Sequence, residues 1–219
     1  MDKKAKMRFV LDKLEEHYPD AVCSLDFRDP LELMVSTQLS AQCTDKRVNM
    51  VTKELFRKYR TLDDYANASI SELEEDIRAT GFFRNKARNI KNMAIKLRDE
   101  YGGKFPDELE ELMKLDGVGR KTGNLFLSEV NGIPGIVVDT HVKRISYRLG
   151  FTKHQDPHKI EKDLNGITDT DAWTKLGHLV ISFGRDICTA RNPKCEICFL
   201  NSICEYYKEK QPEKKKASS

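Results

Sequence analysis

Residues 115–123 read LDGVGRKTG and lie between the amphipathic segment PDELEELMKL (106–115) and the apolar segment NLFLSEV (124–130). This order predicts a helix, a tight turn and a second helix. Gly117 and Gly119 allow backbone conformations with positive φ and leave the amides of the turn uncovered at the positive end of the second helix. Such a turn suits an anion, for example a DNA phosphate. A plain turn between two packed helices explains the same glycines more simply, so the motif alone does not decide.

The rest of the chain shows helical spacing of apolar residues almost throughout. One stripe consists of Val48, Val51, Leu55 and Tyr59, and another of Ile90, Met93, Ala94, Leu97 and Tyr101. Thr44 precedes one helix, and Ser69 with Glu72 suggests a capping box on another. Only the segment 136–138 looks extended, and it is too short for a sheet. The sequence therefore predicts an all-α protein of about ten helices.

The composition is that of an ordinary globular protein: 219 residues, 39% hydrophobic and 33% charged. No apolar run has the length of a membrane span, and no signal-peptide core follows the first basic residues. We therefore expect a cytoplasmic protein, associated with the nucleoid if it is bacterial or archaeal, with no membrane partner.

Charge gives only weak evidence for a nucleic-acid partner, since the net charge is +3. Its distribution is more informative, because six basic residues and no acidic ones lie between Arg84 and Arg98. Such a cluster is either a solvated helix face or a face that binds an anionic backbone, and the sequence leaves both open.

Four of the six cysteines lie in CTARNPKCEICFLNSIC (188–204), with the spacing C-x6-C-x2-C-x5-C. A reducing compartment disfavours structural disulfides, which leaves zinc or an iron–sulfur cluster. Zinc ribbons use two close cysteine pairs, whereas only Cys195 and Cys198 form one here, so the spacing favours a cluster without excluding zinc. Cys23 and Cys43 lie outside the pattern and are interpreted as small buried residues.

Taken together, LDGVGRKTGN (115–124), VVDTH (137–141) and the cysteine loop resemble the endonuclease III family of helix-hairpin-helix DNA glycosylases. The likeness also includes SAQCTD (40–45) and GFFRNKA (81–87), and so covers nearly the whole chain. It implies a four-iron four-sulfur cluster. The implied ligands are Cys188, Cys195, Cys198 and Cys204.

The resemblance also implies an architecture of two helical lobes with a DNA cleft between them. Residues 26–133 should form a helical barrel, with the helix-hairpin-helix near 107–130. Residues 1–25 and 134–211 should form the cluster-bearing lobe. Residues 212–219 are polar and charged, and we expect them to be a disordered tail.

In that family the lysine after the hairpin attacks the anomeric carbon of the sugar, and an aspartate assists; the matching residues are Lys121 and Asp139. A lysine amine attacks only when neutral, and neutralising one at pH 7 costs roughly 4.6 kcal/mol. A helix N-terminus contributes about 0.3–1 kcal/mol, so desolvation against DNA must be the larger effect. Asp139 is expected to stabilise positive charge on the sugar and to transfer protons, and it also suits a helix N-cap.

A lysine at position 121 implies a bifunctional enzyme. Such an enzyme removes the base, holds the sugar as a Schiff base and breaks the 3′ linkage by β-elimination. We expect it to act as a monomer on double-stranded DNA that contains either a damaged base or an abasic site. Oxidised pyrimidines are the damaged bases that the family resemblance implies. The alternatives are a mismatch-specific glycosylase for thymine or adenine, and a helix-hairpin-helix protein that binds DNA without cutting it.

A glycosylase must extrude the target base and fill the gap that it leaves. The resemblance assigns this work to Gln42 and Phe82, although Phe82 could equally belong to the core and Phe83 could take its place. The remaining implied DNA contacts are Gly117, Val118, Gly119, Arg120, His141, Arg185, Arg191 and Lys194.

Two positions depart from the family pattern. Asp116 stands where proline is usual, and a carboxylate near a phosphate site would weaken DNA binding unless it points away. Gly123 stands where alanine is common; it lowers helix propensity but permits close helix packing.

Overall fold

The computed structural model describes residues 2–210, which contain eleven α-helices, four short 3-10 helices and no strand. The all-α prediction is confirmed. The α-helices are α1 (Lys3–His17), α2 (Pro30–Leu39), α3 (Asp45–Lys58), α4 (Leu62–Asn67), α5 (Ile70–Asp76), α6 (Phe83–Glu100), α7 (Leu109–Leu112), α8 (Arg120–Val130), α9 (Thr140–Arg148), α10 (Pro157–Asn165) and α11 (Trp173–Asp186). The 3-10 helices are Arg78–Thr80, Thr170–Ala172, Cys195–Ile197 and Asn201–Ile203. The tail predicted at 212–219 lies outside the described residues.

The chain forms two compact units. The first unit is the continuous segment Cys23–Ile133 and contains α2 to α8. The second unit combines the residues up to Val22 with those from Pro134 onward, and so joins α1 to α9, α10 and α11. The N-terminal segment of this unit ends at Val22, whereas the end predicted from the sequence is residue 25.

The core of the first unit is built around α6. Its buried stripe of Ala87, Ile90, Met93, Ala94 and Leu97 follows the predicted helical spacing, and α4, α5 and α2 pack against the helix. Burial of this stripe stabilises the first unit through the hydrophobic effect.

The basic run of α6 is used partly inside the first unit. Three of its lysines donate hydrogen bonds to backbone carbonyls near the C-terminal ends of neighbouring helices. These bonds run from Lys86 to Leu39 and Thr80, from Lys91 to Ala68, and from Lys96 to Lys114. A cation suits the negative end of a helix. Half of the run therefore stabilises the fold, and the surface-facing part of it consists of Arg84, Arg88 and Arg98.

The second unit has its own apolar core. Met7, Val10, Leu11 and Leu14 of α1 pack in one cluster with residues of α9, α10 and α11. The membership of α1 in this cluster shows that the first helix completes a core whose other helices come from beyond residue 134. No described helix combines the length and apolarity that crossing a bilayer requires.

Helix caps agree with the sequence in part. Thr44 caps α3, as predicted. The capping box predicted for α5 is wrong: the hydroxyl of Ser69 pairs with that of Ser71, and Glu72 forms an ion pair with a lysine of α3. The capping box lies one helix earlier, where Thr61 and Asp64 bond each other's backbone amides at the start of α4.

Candidate active site

The turn between α7 and α8 is fixed by glycine and by one buried amide side chain. Gly117 has φ +77°, and a Cβ at this position would lie 2.6 Å from Oε1 of Gln38, so both the backbone and the space require glycine. Nε2 of Gln38 donates to the carbonyl of Asp116 at 3.1 Å. Val118 is buried, so only its backbone is open to a ligand.

Helix α8 begins without a side-chain cap. Gly119 is its N-cap, in an extended conformation, and nothing lies within 4 Å of the position that a Cβ would take. The first amides of a helix have no intrahelical acceptor, and the dipole makes this end partially positive. The predicted anion site is therefore geometrically available at the start of α8.

Lys121 is the second residue of α8 and is exposed, whereas Arg120 before it is half-buried. Two residues further on, a Cβ on Gly123 would lie 2.5 Å from Cδ1 of Leu109. Glycine at position 123 thus lets α7 approach α8 closely, which gives the departure from alanine a packing reason.

Asp139 is the N-cap of α9. Its Oδ1 accepts hydrogen bonds from the amides of His141 at 2.9 Å and Val142 at 2.8 Å. The carboxylate is half-buried, and both bonds end on Oδ1 rather than Oδ2. These two bonds hold the carboxylate in one orientation at the start of the helix.

His141 has a structural contact within the second unit. Its Nδ1 lies 3.1 Å from Nη2 of Arg144, and the ring packs so closely on α11 that a Cβ on Gly184 would lie 2.5 Å from Nδ1. Arg144 also donates to the carbonyls of Gly184 and Cys188. His141 is therefore part of the packing between α9 and α11.

Gln42 and Phe82 share a backbone property. Within residues 2–210 they are the only residues other than glycine with positive φ, at 53° and 49°. This conformation costs roughly 1–2 kcal/mol for an L-residue, so the surrounding structure must hold it in place. Strain of this kind concentrates at functional positions, and both residues are the predicted base-extruding pair.

The side chains of Phe82 and Phe83 have different surroundings. Phe82 is 61% exposed, whereas Phe83 packs partly buried against the core, with the guanidinium of Arg78 over its ring at 5.2 Å. The structure thus places Phe82 outside the core and Phe83 against it. The role of Phe82 in DNA binding stays a prediction.

The four clustered cysteines line one pocket in the second unit. All six cysteines of the chain are free thiols. Burial, with a smaller contribution from the neighbouring cysteines, raises the pKa of Cys198 to about 11. Among residues 2–210, no three His, Cys, Asp or Glu side chains converge on a point that would hold a single ion.

A buried arginine shapes the cysteine loop. Nη1 of Arg148 donates to Sγ of Cys188 at 3.3 Å and to the carbonyl of Thr189 at 2.8 Å, while Nη2 donates to the carbonyl of Ala190 at 2.9 Å. Hydrogen bonding to a ligand sulfur is one of the ways in which proteins tune iron–sulfur clusters. Four thiols around a pocket, with a guanidinium beside one of them, fit a thiolate-bound cluster.

The basic residues near this loop differ in their exposure to solvent and in their partners. Arg185 and Arg191 are exposed. Lys194 forms an ion pair with Asp186 at 3.2 Å, and this hydrogen bond lowers the pKa of Asp186. The charge of Lys194 is therefore partly compensated within the protein.

The predicted residues fall into local groups. The hairpin, Gln42 and Phe82 belong to the first unit, whereas Asp139 and the four cysteines belong to the second. Sequence reasoning missed Gln38, Lys86 and Arg148. Lys86 carried a usable signal, because it stands four residues before Ile90 on the apolar stripe of α6, where a lysine needs a buried partner.

Two family descriptions match the chain. Residues 35–169 match the HhH-GPD superfamily base excision DNA repair protein, and residues 188–204 match the iron-sulfur binding domain of endonuclease III. The second match begins and ends on the first and last of the four clustered cysteines.

Individual proteins match over almost the full length. The chain is 46% identical to the endonuclease III of Synechocystis over 92% of this chain and 93% of that protein. It is 44% identical to that of Bacillus subtilis over 91% of both. A solved structure of a trapped endonuclease III–DNA covalent intermediate superposes with a TM-score of 0.91 at 47% identity, covering 96% of this chain and 99% of that one.

Proposed function

The chain belongs to the endonuclease III family, within the HhH-GPD superfamily of base excision DNA repair proteins, and on this premise we propose that Lys121 is its nucleophile. The protein is a bifunctional enzyme: a DNA glycosylase that releases a damaged base and an AP lyase that cleaves the abasic strand. The observation that supports the assignment most directly is the position of Lys121, exposed in the first turn of α8, directly after an uncapped N-terminus.

The reaction begins with the neutral amine of Lys121. The protein does not bury this side chain, so the DNA that covers it must remove its water. The positive end of the α8 dipole disfavours a charged amine by about 0.3–1 kcal/mol, which is a smaller effect than the loss of water. A phosphate bound at the amides after Gly119 would bring the sugar to the amine.

The covalent steps follow from the chemistry of an amine with a sugar. Nζ of Lys121 forms a bond to C1′, the N-glycosidic bond breaks, and its electron pair leaves with the base, which gains a proton. Opening of the sugar ring gives the imine. Loss of a proton from C2′ then expels the 3′ phosphate, which breaks the strand.

Asp139 supports these steps as a carboxylate. It stabilises the positive charge that develops on the sugar while the base leaves, and it accepts and returns protons. The two hydrogen bonds that backbone amides donate to Oδ1 keep the carboxylate oriented, so it need not rearrange during the reaction. Preorganisation of this kind is what makes electrostatic stabilisation effective.

Base extrusion is assigned to Gln42 and Phe82. Both side chains are exposed, and both stand on backbone that the fold holds at positive φ. An aromatic wedge and a hydrogen-bonding amide can replace the lost stacking and pairing. Val118 contributes only backbone contacts to the DNA, since its side chain is buried.

The iron–sulfur cluster is assigned the four-iron four-sulfur type, held by Cys188, Cys195, Cys198 and Cys204. When bound, it cross-links the loop and supplies no group to base removal. The exposed Arg191 then contacts the DNA backbone from a rigid loop, and the exposed Arg185 contacts it from the end of α11 just before the loop. Lys194 contributes less because of its ion pair.

The substrate that we assign is duplex DNA with an oxidised pyrimidine or an abasic site. We assign a monomer, since every residue given a role above belongs to this one chain. We assign the protein to the cytoplasm, whose reducing conditions suit a cluster held by four cysteine thiolates.

Borohydride trapping tests the assignment. The cluster-loaded protein is mixed with duplex DNA containing an abasic site or thymine glycol, and borohydride reduces any imine to a stable adduct. We expect an adduct on both duplexes, its loss in Lys121→Ala, and its retention in Lys114→Ala, which removes another exposed lysine of the hairpin. An adduct on the abasic duplex alone would redirect the search to another base. No adduct on either duplex would contradict the bifunctional assignment.

A further inference from the structure

Lys86 is a buried lysine whose ammonium donates its hydrogen bonds to neutral backbone groups. Only 5% of it is exposed, and its Nζ donates to the carbonyls of Leu39 and Thr80, at 2.8 Å each. Burial lowers the pKa of this amine. A buried cation is costly unless it is hydrogen-bonded, and these two carbonyls supply the bonds.

Both carbonyls stand just before the two strained residues. Leu39 is the last residue of α2, and Gln42 follows it by three positions. Thr80 ends a 3-10 helix, and Phe82 follows it by two. The amide of Lys86 also donates to the carbonyl of Phe82 at 3.1 Å. One residue thus contacts the backbone of both segments.

We infer that Lys86 is a positioning residue that ties segments 39–43 and 80–83 to one point of α6, and so keeps Gln42 and Phe82 ready to enter the DNA. This inference rests on the role given to those two residues above. Positive φ at each of them relaxes unless its surroundings prevent it. The two hydrogen bonds of one ammonium supply that restraint to both segments at once.

Base release and strand cleavage at an abasic site should respond differently to the loss of this restraint. A damaged base that is stacked and paired must be extruded, and its place must be filled. An abasic site has no base to extrude, so strand cleavage there depends less on Gln42 and Phe82. Loss of the Lys86 restraint should therefore slow base release much more than cleavage at an abasic site.

Lys86→Met tests this, because methionine retains much of the apolar stem and removes the donor. Lys91→Met is the matched control: Lys91 lies on the same helix and donates to the carbonyl of Ala68, away from both segments. Single-turnover rates are measured on a thymine glycol duplex and on an abasic duplex. In Lys86→Met we expect base release to fall about 10- to 100-fold and abasic cleavage to change less than about threefold. Lys91→Met should change neither by more than about threefold.

Hydrogen–deuterium exchange of the DNA-free protein gives a readout that does not depend on activity. In Lys86→Met, the exchange rates of peptides covering 39–44 and 80–84 should both rise by about tenfold. In Lys91→Met, both rates should stay unchanged. If the wild type forms no imine, the proposed function has failed, and exchange still decides this inference. Equal losses on both DNA substrates, or faster exchange in neither segment, would overturn it.

A variant with a milder change covers the case in which Lys86→Met does not fold. Lys86→Gln keeps an N–H donor, and we expect the same separation of the two rates with a smaller loss. Coupling gives a further check: in a Gln42→Ala/Phe82→Ala background, Lys86→Met should add less than about threefold to the loss of base release. An additive loss would show that Lys86 does not act through these two residues.

Discussion

Helices α8 and α9 begin in opposite ways. The N-cap of α8 is Gly119, which offers no side chain, and the exposed Lys121 follows it. The N-cap of α9 is Asp139, whose carboxylate accepts from two amides of its own helix. Each helix start carries one of the two residues assigned to the chemistry.

The difference shows how one local structure serves two purposes. An uncapped N-terminus leaves its amides and its partial positive charge for an anion from outside the protein. A capped N-terminus uses both to orient its own carboxylate. At α8 the fold goes without the stability that a cap would add, whereas at α9 the two hydrogen bonds to Asp139 cap the helix and orient its carboxylate.

Lys121→Ala should have the largest effect, because it removes the nucleophile and leaves both helix starts intact. We expect strand cleavage at an abasic site to fall by at least about 10³-fold, while the free energy of unfolding changes by less than about 0.5 kcal/mol. Gel-based cleavage rates and urea unfolding measure the two quantities. Cleavage that persists above this level would assign the nucleophile to another amine.

Asp139→Asn separates capping from chemistry at α9. Asparagine caps as well as aspartate, so the unfolding free energy should be nearly unchanged, while base release falls about 10²- to 10³-fold for lack of the negative charge. Asp139→Ala should lose the same activity and also about 1 kcal/mol of stability. An active Asp139→Asn enzyme would reduce Asp139 to a cap.

Gly119→Ser would make α8 resemble α9. The space around the Cβ position is empty and φ is −98°, so serine fits and can cap the amides. We expect DNA to bind about tenfold more weakly. The slope of log Kd against log salt should fall by about the amount that one phosphate contact contributes. Unchanged affinity and slope would show that the start of α8 does not bind phosphate.

Asp116→Asn should have the smallest effect and should strengthen the contrast between the helix starts. The side chain of Asp116 is exposed beside the turn. The hydrogen bond from Gln38 is accepted by the backbone carbonyl of Asp116, not by its carboxylate. Removal of the negative charge should tighten DNA binding about two- to threefold at low salt, and the gain should vanish at high salt because exposed charges are screened. An effect that persists at high salt would point to a change in the turn itself.

Local patterns carried the sequence predictions that succeeded. The helices, the N-cap at Asp139 and the lysine at the start of α8 each depend on residues within a few positions of one another. The different surroundings of Phe82 and Phe83 could not be predicted this way, because the fold decides which ring packs against the core.

Long-range contacts explain what the sequence could not show. Lys86 bonds a carbonyl 47 positions away, Gln38 one that is 78 positions away, and Arg148 a sulfur 40 positions away. Nothing in the residues around a lysine, a glutamine or an arginine indicates which remote carbonyl or sulfur it will meet.

The split composition of the second unit has a consequence for synthesis. Helix α1 leaves the ribosome before the helices that cover its apolar face, because these come from beyond Pro134, after the whole of Cys23–Ile133. At ordinary translation rates the delay is roughly 5–20 seconds. During that time the continuous unit can fold, while Met7, Val10, Leu11 and Leu14 stay exposed to chaperones or to other nascent chains. The cysteine loop emerges later still, so a cluster can be inserted only after all four described α-helices of this unit have been made.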